Sequence, residues 1–333
     1  MTSEGRALWF VGPRAVEIRA VSLPPLRDGA VLVRTAFSGI SAGSEMLAYR
    51  GQLDPEMVLD ESIGALGGTF RYPFPYGYSC VGHVEASRAD GHQEGDLVFV
   101  FHPHQDRFVV DAADLIDLPS VDPRVATMLP FVETALQVTL DAGPVFDQTV
   151  VVVGMGVLGL LTSMLLGRAG ARVIGVEPQV WRREVAAAAG LTAVTPEGAL
   201  GAVSDAGRPQ GVPLLVEASG NPAALAGALQ LLAHEGTALV ASWYGAQDVV
   251  VPLGDRFHRR RLTIRSTQVS TIPAALTSTW DRARRRQAAA RLLTDLPLDR
   301  LATDTVPFEQ AGAAFAAIDA GRPGLLHVAL GYN

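Results

Sequence analysis

Three glycines with the spacing needed to cradle a phosphate stand in the middle of the chain. Gly154, Gly156 and Gly159 follow the apolar, β-branched run 149–153, and a helical pattern continues to about Arg168. Gly154 permits a tight turn, Gly156 leaves room for a pyrophosphate, and Gly159 lets the helix pack on the strand. A helix N-terminus offers free N–H groups and partial positive charge to an anion. The pattern predicts a dinucleotide-binding turn.

An acidic residue follows this turn where a ribose-binding carboxylate is expected. Glu177 ends the β-rich run 172–176 and lies 18 residues after Gly159. A carboxylate there accepts both adenosine ribose hydroxyls and repels a 2′-phosphate, so the sequence favours NAD over NADP. The glycine spacing alone is weak, because the chain has 34 glycines and a purely structural turn is the alternative. The flanking strand, helix and acid favour the cofactor site.

Length, composition and charge limit the classes of protein to which the chain can belong. The 333 residues suggest about two domains of roughly 150 residues, and 48% hydrophobic residues suffice for sizeable cores. A net charge of -7 argues against nucleic acid or an anionic membrane surface as a general partner. The arginine-rich runs 259–261 and 282–286 are interpreted as solvated faces. One cysteine, Cys80, excludes an intrachain disulfide and a four-cysteine zinc lobe. Without a signal-like start or a long apolar run, we expect a cytoplasmic protein.

The first 121 residues contain short β segments separated by glycine and proline. The predicted strands cover 7–11, 15–21, 30–40, 79–87, 96–101 and 106–110. Irregular turn signals and no helical period predict a small β-barrel-like domain. The segment 60–78, rich in Gly, Pro and Tyr, is expected to run over the surface or border a site.

Strand and helix signals alternate over 122–270. Predicted helices cover 123–140, 182–189 and 222–232, and predicted strands cover 213–220, 236–245 and 262–269. This alternation predicts a parallel, doubly wound sheet. The tail has helical stretches at 274–293 and 308–320 and ends in a strand, 325–330. We expect that strand to join the sheet of the first domain.

This domain order resembles the medium-chain dehydrogenase/reductase superfamily over nearly the whole chain. The resemblance is carried by SGISAGSEMLAYRG (38–51), PYGYSCVGHV (75–84), GMGVLG (154–159), VEASG (216–220) and the tail from PFEQAGAAF (307–315) through LLHVAL (325–330). It implies an α/β chain in which a GroES-like β-barrel catalytic domain, 1–121 and 271–333, flanks a doubly wound Rossmann domain, 122–270. It also implies a small-molecule substrate and a homodimer formed through Rossmann edge strands.

The chain departs from the zinc-dependent alcohol dehydrogenases of that superfamily at their metal ligands. In place of Cys, His and Cys it has Ser41, Tyr78 and the segment 128–134, which contains neither Cys nor His. Hydroxyls are poor zinc ligands beside thiolate and imidazole. The resemblance therefore implies the zinc-lacking branch with no bound metal. Through SGISAGSE and the stretch 101–106 it is nearest in motif to bacteriochlorophyllide a dehydrogenase-like members.

The resemblance also assigns residues to the cofactor. The positions expected to contact NAD are Gly154, Met155, Gly156, Val157, Leu158, Gly159, Glu177, Arg182, Ser219, Trp243 and Thr134. Glu177 matches the ribose-binding acid and Arg182 a basic residue beside the same ribose. Ser219 and the loop around Trp243 match segments near the nicotinamide.

Without zinc, hydrogen-bond donors must stabilise the developing alkoxide. The candidate catalytic residues are Ser44, Tyr78, Ser41, His104, His102 and Glu133, with Ser79 beside them. Ser44 matches a Ser/Thr that touches the substrate oxygen, whereas Leu47 stands where a proton-relay histidine is frequent. Tyr78 either donates to the oxygen, acting as an acid if its pKa is lowered, or only fills space.

The remaining polar residues near these positions have several interpretations. His102 and His104 form an HxH pattern that, at a strand end, places both rings on one face. They are read as a proton shuttle, a metal pair or ordinary hydrogen-bonding residues. Glu45 is expected to anchor its loop, Cys80 to be a small buried residue, and the role of His327 is left open.

Three functions are consistent with these residues. The first is zinc-independent hydride transfer between NAD(H) and a secondary alcohol or ketone of a small or medium organic substrate. The second is NAD(P)H-dependent reduction of an activated C=C bond, as in enoyl and quinone reductases, although Glu177 argues against the NADPH these enzymes more often use. The third is non-catalytic dinucleotide binding, against which the retained hydroxyls and histidines argue.

Overall fold

The computed structural model describes residues 4–332, which form two compact units. The first unit contains the residues up to 130 and from 286 onward, and the second unit contains residues 131–285. Domain organisation with limits after residues 121 and 270 stays a prediction.

The strands and helices alternate differently in different parts of the chain. The strands are β1 (Glu4–Gly12), β2 (Ala15–Ser22), β3 (Ala30–Ile40), β4 (Phe74–Pro75), β5 (Cys80–Ser87), β6 (Leu97–Val100), β7 (Arg107–Asp111), β8 (Ile116–Asp117), β9 (Thr149–Val153), β10 (Arg172–Val176), β11 (Thr192–Val194), β12 (Val212–Glu217), β13 (Leu232–Val240), β14 (Thr263–Ser266), β15 (Ala302–Pro307) and β16 (His327–Gly331). The α-helices are α1 (Ser44–Arg50), α2 (Pro123–Ala126), α3 (Leu129–Ala142), α4 (Val157–Arg168), α5 (Val180–Ala188), α6 (Ala199–Asp205), α7 (Pro222–Ala228), α8 (Arg282–Asp295) and α9 (Ala311–Asp319).

Two sheets form the first unit. One has the order β2-β1-β4, and the other has the order β15-β16-β3-β5-β6-β8 with β7 also paired to β3. All pairs are antiparallel except β15 with β16. The terminal strand β16 lies against β3, with Val328 opposite Ile40, so the tail joins the expected sheet. An aromatic and aliphatic core that includes Phe10, Tyr76 and Phe315 packs between the elements.

A single six-stranded sheet organises the second unit. Its order is β11-β10-β9-β12-β13-β14 and every pair is parallel. Counted from β9, this is the 3-2-1-4-5-6 order of dinucleotide-binding sheets, with the topological switch between β9 and β12. All five residues of β9 are buried, as expected for a central parallel strand covered on both faces. The predicted α/β fold class, with a mainly antiparallel β unit and a parallel doubly wound sheet, is confirmed.

Several predicted element limits are wrong. The helix predicted over 123–140 is interrupted between α2 and α3, and the strand predicted over 213–220 ends at Glu217, where the chain turns. The helix predicted over 222–232 gives way to a short 3-10 turn, and β13 begins at Leu232. Strand β15, which pairs with β16, was not predicted.

The helices of the chain are short. The longest, α3 and α8, have 14 residues each. Over residues 4–332, no helix has both the length and the apolar character needed to cross a membrane.

Candidate functional site

The glycine turn between β9 and α4 contains two glycines required by packing and one that is not. Gly154 has φ +92°, and a Cβ there would lie 2.6 Å from the Cα of Ser219. A Cβ on Gly159 would lie 1.8 Å from the carbonyl oxygen of Gly154. Around Gly156, by contrast, an added Cβ would meet nothing within 4 Å. The fold therefore does not require Gly156, and the open space in front of it is available to a ligand.

Glu177 closes the next strand and contacts the turn directly. Its Oε2 accepts the backbone N–H of Met155 at 2.9 Å, and its Oε1 accepts that of Gln179 at 2.9 Å. The side chain is buried, with Nη1 of Arg182 at 3.8 Å from Oε2. Each carboxylate oxygen thus uses one protein donor and keeps acceptor capacity for another. The structure brings Glu177, Met155 and Arg182 together at the carboxyl edge of the sheet.

A second buried carboxylate lies at the end of β12, across the topological switch. Glu217 accepts the backbone N–H of Ser219 at 2.8 Å and also the Ser219 hydroxyl, and Tyr244 donates its hydroxyl to Oε2 at 2.5 Å. Burial, assisted by Glu217, raises the pKa of Tyr244, which keeps the phenol a donor. The N–H of Gly220 donates to Ser242 at 2.8 Å. These contacts fix the two loops that follow β12 and β13.

The other predicted cofactor residues belong to the second unit and differ in position and exposure. Val157 and Leu158 open α4 beside the turn and are half-buried. Trp243 is 40% exposed in the loop after β13, and Arg182 stands over the ring of Trp181 at 5.1 Å. Thr134 lies on α3, away from the strand ends in sequence, and is half-buried.

In the first unit, three predicted residues form a hydroxyl cluster: Ser41, Ser44 and Tyr78. Both serines interact with the phenol of Tyr78 and favour its ionised form. Burial, with a contribution from the charge on Glu45, nevertheless raises the pKa of Tyr78 to about 12. Ser41 is buried, whereas Ser44 and Tyr78 are half-buried. The cluster therefore presents neutral hydroxyl groups, two of them partly accessible.

A buried polar chain supports the cluster. His104 Nε2 lies 2.8 Å from Oε2 of Glu45, and His104 Nδ1 lies 2.7 Å from the hydroxyl of Ser38. The Ser38 hydroxyl lies 2.8 Å from that of Tyr332. Oε1 of Glu45 accepts the backbone N–H of Ser41 at 3.0 Å, in agreement with the loop-anchoring role expected for Glu45.

The expectation that the two histidines share a strand-end face is wrong. Residues 101–103 have no regular secondary structure, because the chain turns away after β6. The His102 ring stacks on Phe108 at 3.8 Å, and burial lowers its pKa to about 4, so it is neutral near pH 7. Ser79 donates its hydroxyl to the carbonyl oxygen of Thr127 at 2.6 Å.

Glu133 is held in a buried ion pair of the second unit. Its Oε1 accepts from Nε and Nη2 of Arg285 at 3.1 and 2.9 Å. The other Arg285 hydrogens go to Gln137 and to the carbonyl oxygens of Val269 and Thr271. The interpretation of 282–286 as a solvated face is therefore wrong at Arg285, which is only 2% exposed.

Three contributors were missed in the sequence. Ser38 and Tyr332 stand 294 residues apart, and no local pattern joins them. Glu217 could have been found, since it ends a buried parallel strand in the same way as Glu177.

Across the part of the chain that the structure describes, no group of three or more His, Cys, Asp or Glu side chains is arranged to hold a metal ion.

Comparison with known proteins is consistent with this architecture. A family model described as zinc-binding dehydrogenase matches residues 157–286. The chain is 28% identical over 193 residues to the 2-desacetyl-2-hydroxyethyl bacteriochlorophyllide A dehydrogenase of Cereibacter sphaeroides, covering 53% of this chain and 55% of that one. It is 29% identical over 214 residues to the protein of the same name from Rhodobacter capsulatus, covering 58% and 62%. The matches thus span somewhat more than half the length of these relatives.

Solved structures share the whole fold. The chain superposes on 2R,3R-butanediol dehydrogenase from Bacillus subtilis with a TM-score of 0.79 at 18% identity, covering 99% and 100% of the two chains. It superposes on L-idonate 5-dehydrogenase from Escherichia coli with a TM-score of 0.80 at 16% identity, covering 99% of each. A short chain alcohol dehydrogenase from E. coli, complexed with NADH, gives a TM-score of 0.78 at 19% identity with 99% of each covered. The solved structures show a shared fold, and the family match and the two relatives agree with the resemblance to the medium-chain dehydrogenase/reductase superfamily.

Proposed function

We propose that this protein is a zinc-independent oxidoreductase that transfers a hydride between NAD(H) and a secondary alcohol or ketone of a small or medium organic substrate. The observation that carries the proposal is the hydroxyl cluster. At two positions where zinc-dependent relatives place metal ligands, the chain has Ser41 and Tyr78, whose side chains interact. Ser44 completes the group. The names of the two sequence relatives, dehydrogenases of a hydroxyethyl compound, support alcohol chemistry.

The cofactor assignment rests on the turn after β9. The open space at Gly156 and the free N–H groups at the start of α4 suit a pyrophosphate. Glu177, whose oxygens retain acceptor capacity, suits the hydroxyls of an unphosphorylated ribose. Bound NAD supplies or accepts the hydride. The remaining work, orienting the substrate oxygen and exchanging its proton, falls to side chains of the protein.

Tyr78 is suited to donate to a substrate oxygen. With a pKa of about 12, its phenol keeps its proton throughout the physiological range and donates a hydrogen bond where negative charge develops. Ser44 is the second half-buried hydroxyl of the cluster and can donate to the same oxygen. Ser41 is buried and interacts with Tyr78, so its role is to support the phenol rather than to contact the substrate.

The donor set of this cluster does not fit zinc. Structural and catalytic zinc sites use thiolate, imidazole and carboxylate ligands. Ser41 and Ser44 are neutral hydroxyls, and a phenol with a pKa near 12 does not ionise readily. The nearby imidazole and carboxylate, His104 and Glu45, already bind each other. This chemistry supports the zinc-independent part of the proposal.

A metal analysis combined with a substrate panel tests the proposal. Purified protein should contain far less than one zinc per chain and should oxidise NADH with ketones or reduce NAD with secondary alcohols. A full equivalent of zinc that resists chelation would contradict the zinc-independent assignment. Turnover with enones but never with ketones would indicate C=C reduction, and tight NADH binding without any turnover would indicate a binding protein. Homodimer formation and a cytoplasmic location stay predictions.

A further inference from the structure

His104 contacts both segments that carry the hydroxyl cluster, and its own side chain is not accessible. Its side chain is 0% exposed, as are those of Glu45 and Ser38. On one side it binds Glu45, whose other oxygen holds the N–H of Ser41. On the other side it packs against the backbone just before Tyr78. A Cβ on Gly77 would lie 2.7 Å from Cδ2 of His104, and Gly77 has φ +117°.

The buried chain of hydrogen bonds holds His104 on both sides of its ring. The carboxylate of Glu45 only accepts, so Nε2 of His104 carries the hydrogen in the bond between them. On the other side of the ring, Nδ1 is hydrogen-bonded to the hydroxyl of Ser38, which is hydrogen-bonded to that of Tyr332. Burial holds the pKa of Tyr332 well above its usual value, so this phenol remains a donor. The imidazole is thus held through both of its ring nitrogens.

Stability alone would favour apolar side chains at the buried positions of Glu45, His104 and Ser38. Burying a carboxylate is costly unless its hydrogen bonds are complete, and the surrounding residues belong to an apolar core, with the ring of Phe315 6.2 Å from that of His104. The polar chain instead ends at the backbone of Ser41, which precedes the turn into α1. The buried chain of hydrogen bonds therefore leads to the hydroxyl cluster.

We propose that His104 is a positioning residue that acts through Glu45 to hold the turn carrying Ser41 and Ser44 in register with Tyr78. This inference rests on the proposed function, because the hydroxyls it aligns are those assigned to the substrate oxygen. His104 itself makes no contact with the substrate, since its ring is fully buried. The specific requirement is a hydrogen-bond donor at the place of Nε2.

Two substitutions of His104 separate this role from others. In His104→Gln the side-chain amide reaches the place of Nε2 and can donate to Glu45. In His104→Asn the amide reaches only the place of Nδ1 and leaves Glu45 without its donor. Misplacing reacting groups by about 1 Å can cost about 100-fold in rate. We therefore expect kcat to fall by roughly 10- to 100-fold in His104→Asn, with the substrate KM and the NADH Kd little changed, and to recover in His104→Gln.

Hydrogen exchange measured by mass spectrometry provides a readout that does not require turnover. In His104→Asn, peptides covering 41–50 should exchange faster than in the wild type, whereas peptides covering 149–177 should not change. His104→Gln should restore protection, and His234→Asn, at an exposed histidine, should alter neither measurement. If wild-type protein shows no turnover, the proposed function fails while the exchange data still decide the positioning role.

Two results would overturn the inference. Equal loss of kcat in the Gln and Asn variants would mean that the imidazole itself is required. Unchanged exchange over 41–50 in His104→Asn would mean that Glu45 holds the turn without His104.

Discussion

Replacing Gly156 with alanine distinguishes an effect on cofactor binding from an effect on the stability of the fold. The backbone there has φ −73° and ψ −173°, which alanine adopts without strain. An added Cβ meets nothing within 4 Å. In the protein without cofactor the methyl group therefore has no neighbour to displace. With a pyrophosphate against the turn, the same methyl occupies the space in which the phosphate approaches the backbone.

The expected magnitudes follow from this geometry. Without ligand, the free energy of unfolding should change by less than about 1 kcal/mol, since losing glycine at a helix N-cap and reducing unfolded-chain entropy oppose each other. Overpacking a close contact costs about 1–3 kcal/mol, so NADH should bind roughly 5- to 150-fold more weakly. Fluorescence titration of NADH and urea unfolding of the free protein measure the two quantities.

Two further glycines serve as controls. Gly167, near the other end of α4, also faces open space, so Gly167→Ala should stabilise the helix by about 0.5–1 kcal/mol and leave NADH binding unchanged. Gly159→Ala places a Cβ 1.8 Å from a carbonyl oxygen and should destabilise the fold itself. A folded Gly156→Ala protein that binds NADH as tightly as the wild type would refute the assignment of this turn to the pyrophosphate.

Four other changes test separate parts of the molecule. Glu177→Ser should weaken NADH more than NADPH in parallel titrations, because the carboxylate suits a free ribose; an equal loss would remove the ribose assignment. Ser44→Ala should lower kcat by about 100-fold, as expected for one lost oxyanion donor, with the NADH Kd unchanged; full turnover would exclude Ser44 from the chemistry. Arg285→Lys should lower the free energy of unfolding by about 3 kcal/mol in urea, because an ammonium cannot replace five N–H donors, whereas exposed Arg284→Lys should have little effect; similar values for both would contradict the buried ion pair. Burial lowers the pKa of His327 from 6.5 to about 4, so the unfolded chain takes up the proton first. Stability should then fall as the pH drops from about 6.5 toward 4, by at most about 3 kcal/mol from this group. His327→Gln should show a shallower dependence, and an identical slope would exclude this origin.

The features that could be predicted from sequence depend on local signals. The β-branched run that becomes β9, the glycines after it and Glu177 lie within 29 residues, and their chemistry dictates strand, turn and strand. The long alternating strand β3 matches its predicted limits at 30–40 because its apolar pattern continues over the full length. The same local signals gave the α/β order and therefore the fold class.

Other features were not predictable because they depend on distant partners. Arg285 lies in an arginine-rich stretch whose local pattern indicates exposure, yet Glu133, 152 residues earlier in the chain, keeps it buried. The separate environments of His102 and His104 likewise depend on Phe108 and Glu45. The sequence identifies these side chains as polar candidates. Only the folded structure shows which residues they contact.

The pairing of β16 with β3 sets the order in which the two units can be completed during synthesis. Val328 lies opposite Ile40, 288 residues earlier, whereas the parallel sheet of the second unit needs only residues 149–266. A growing chain can therefore complete the second sheet while β3 still lacks β16 as a neighbour. Until residues near 331 leave the ribosome, that edge of β3 lacks β16 and is open to pairing with other strands.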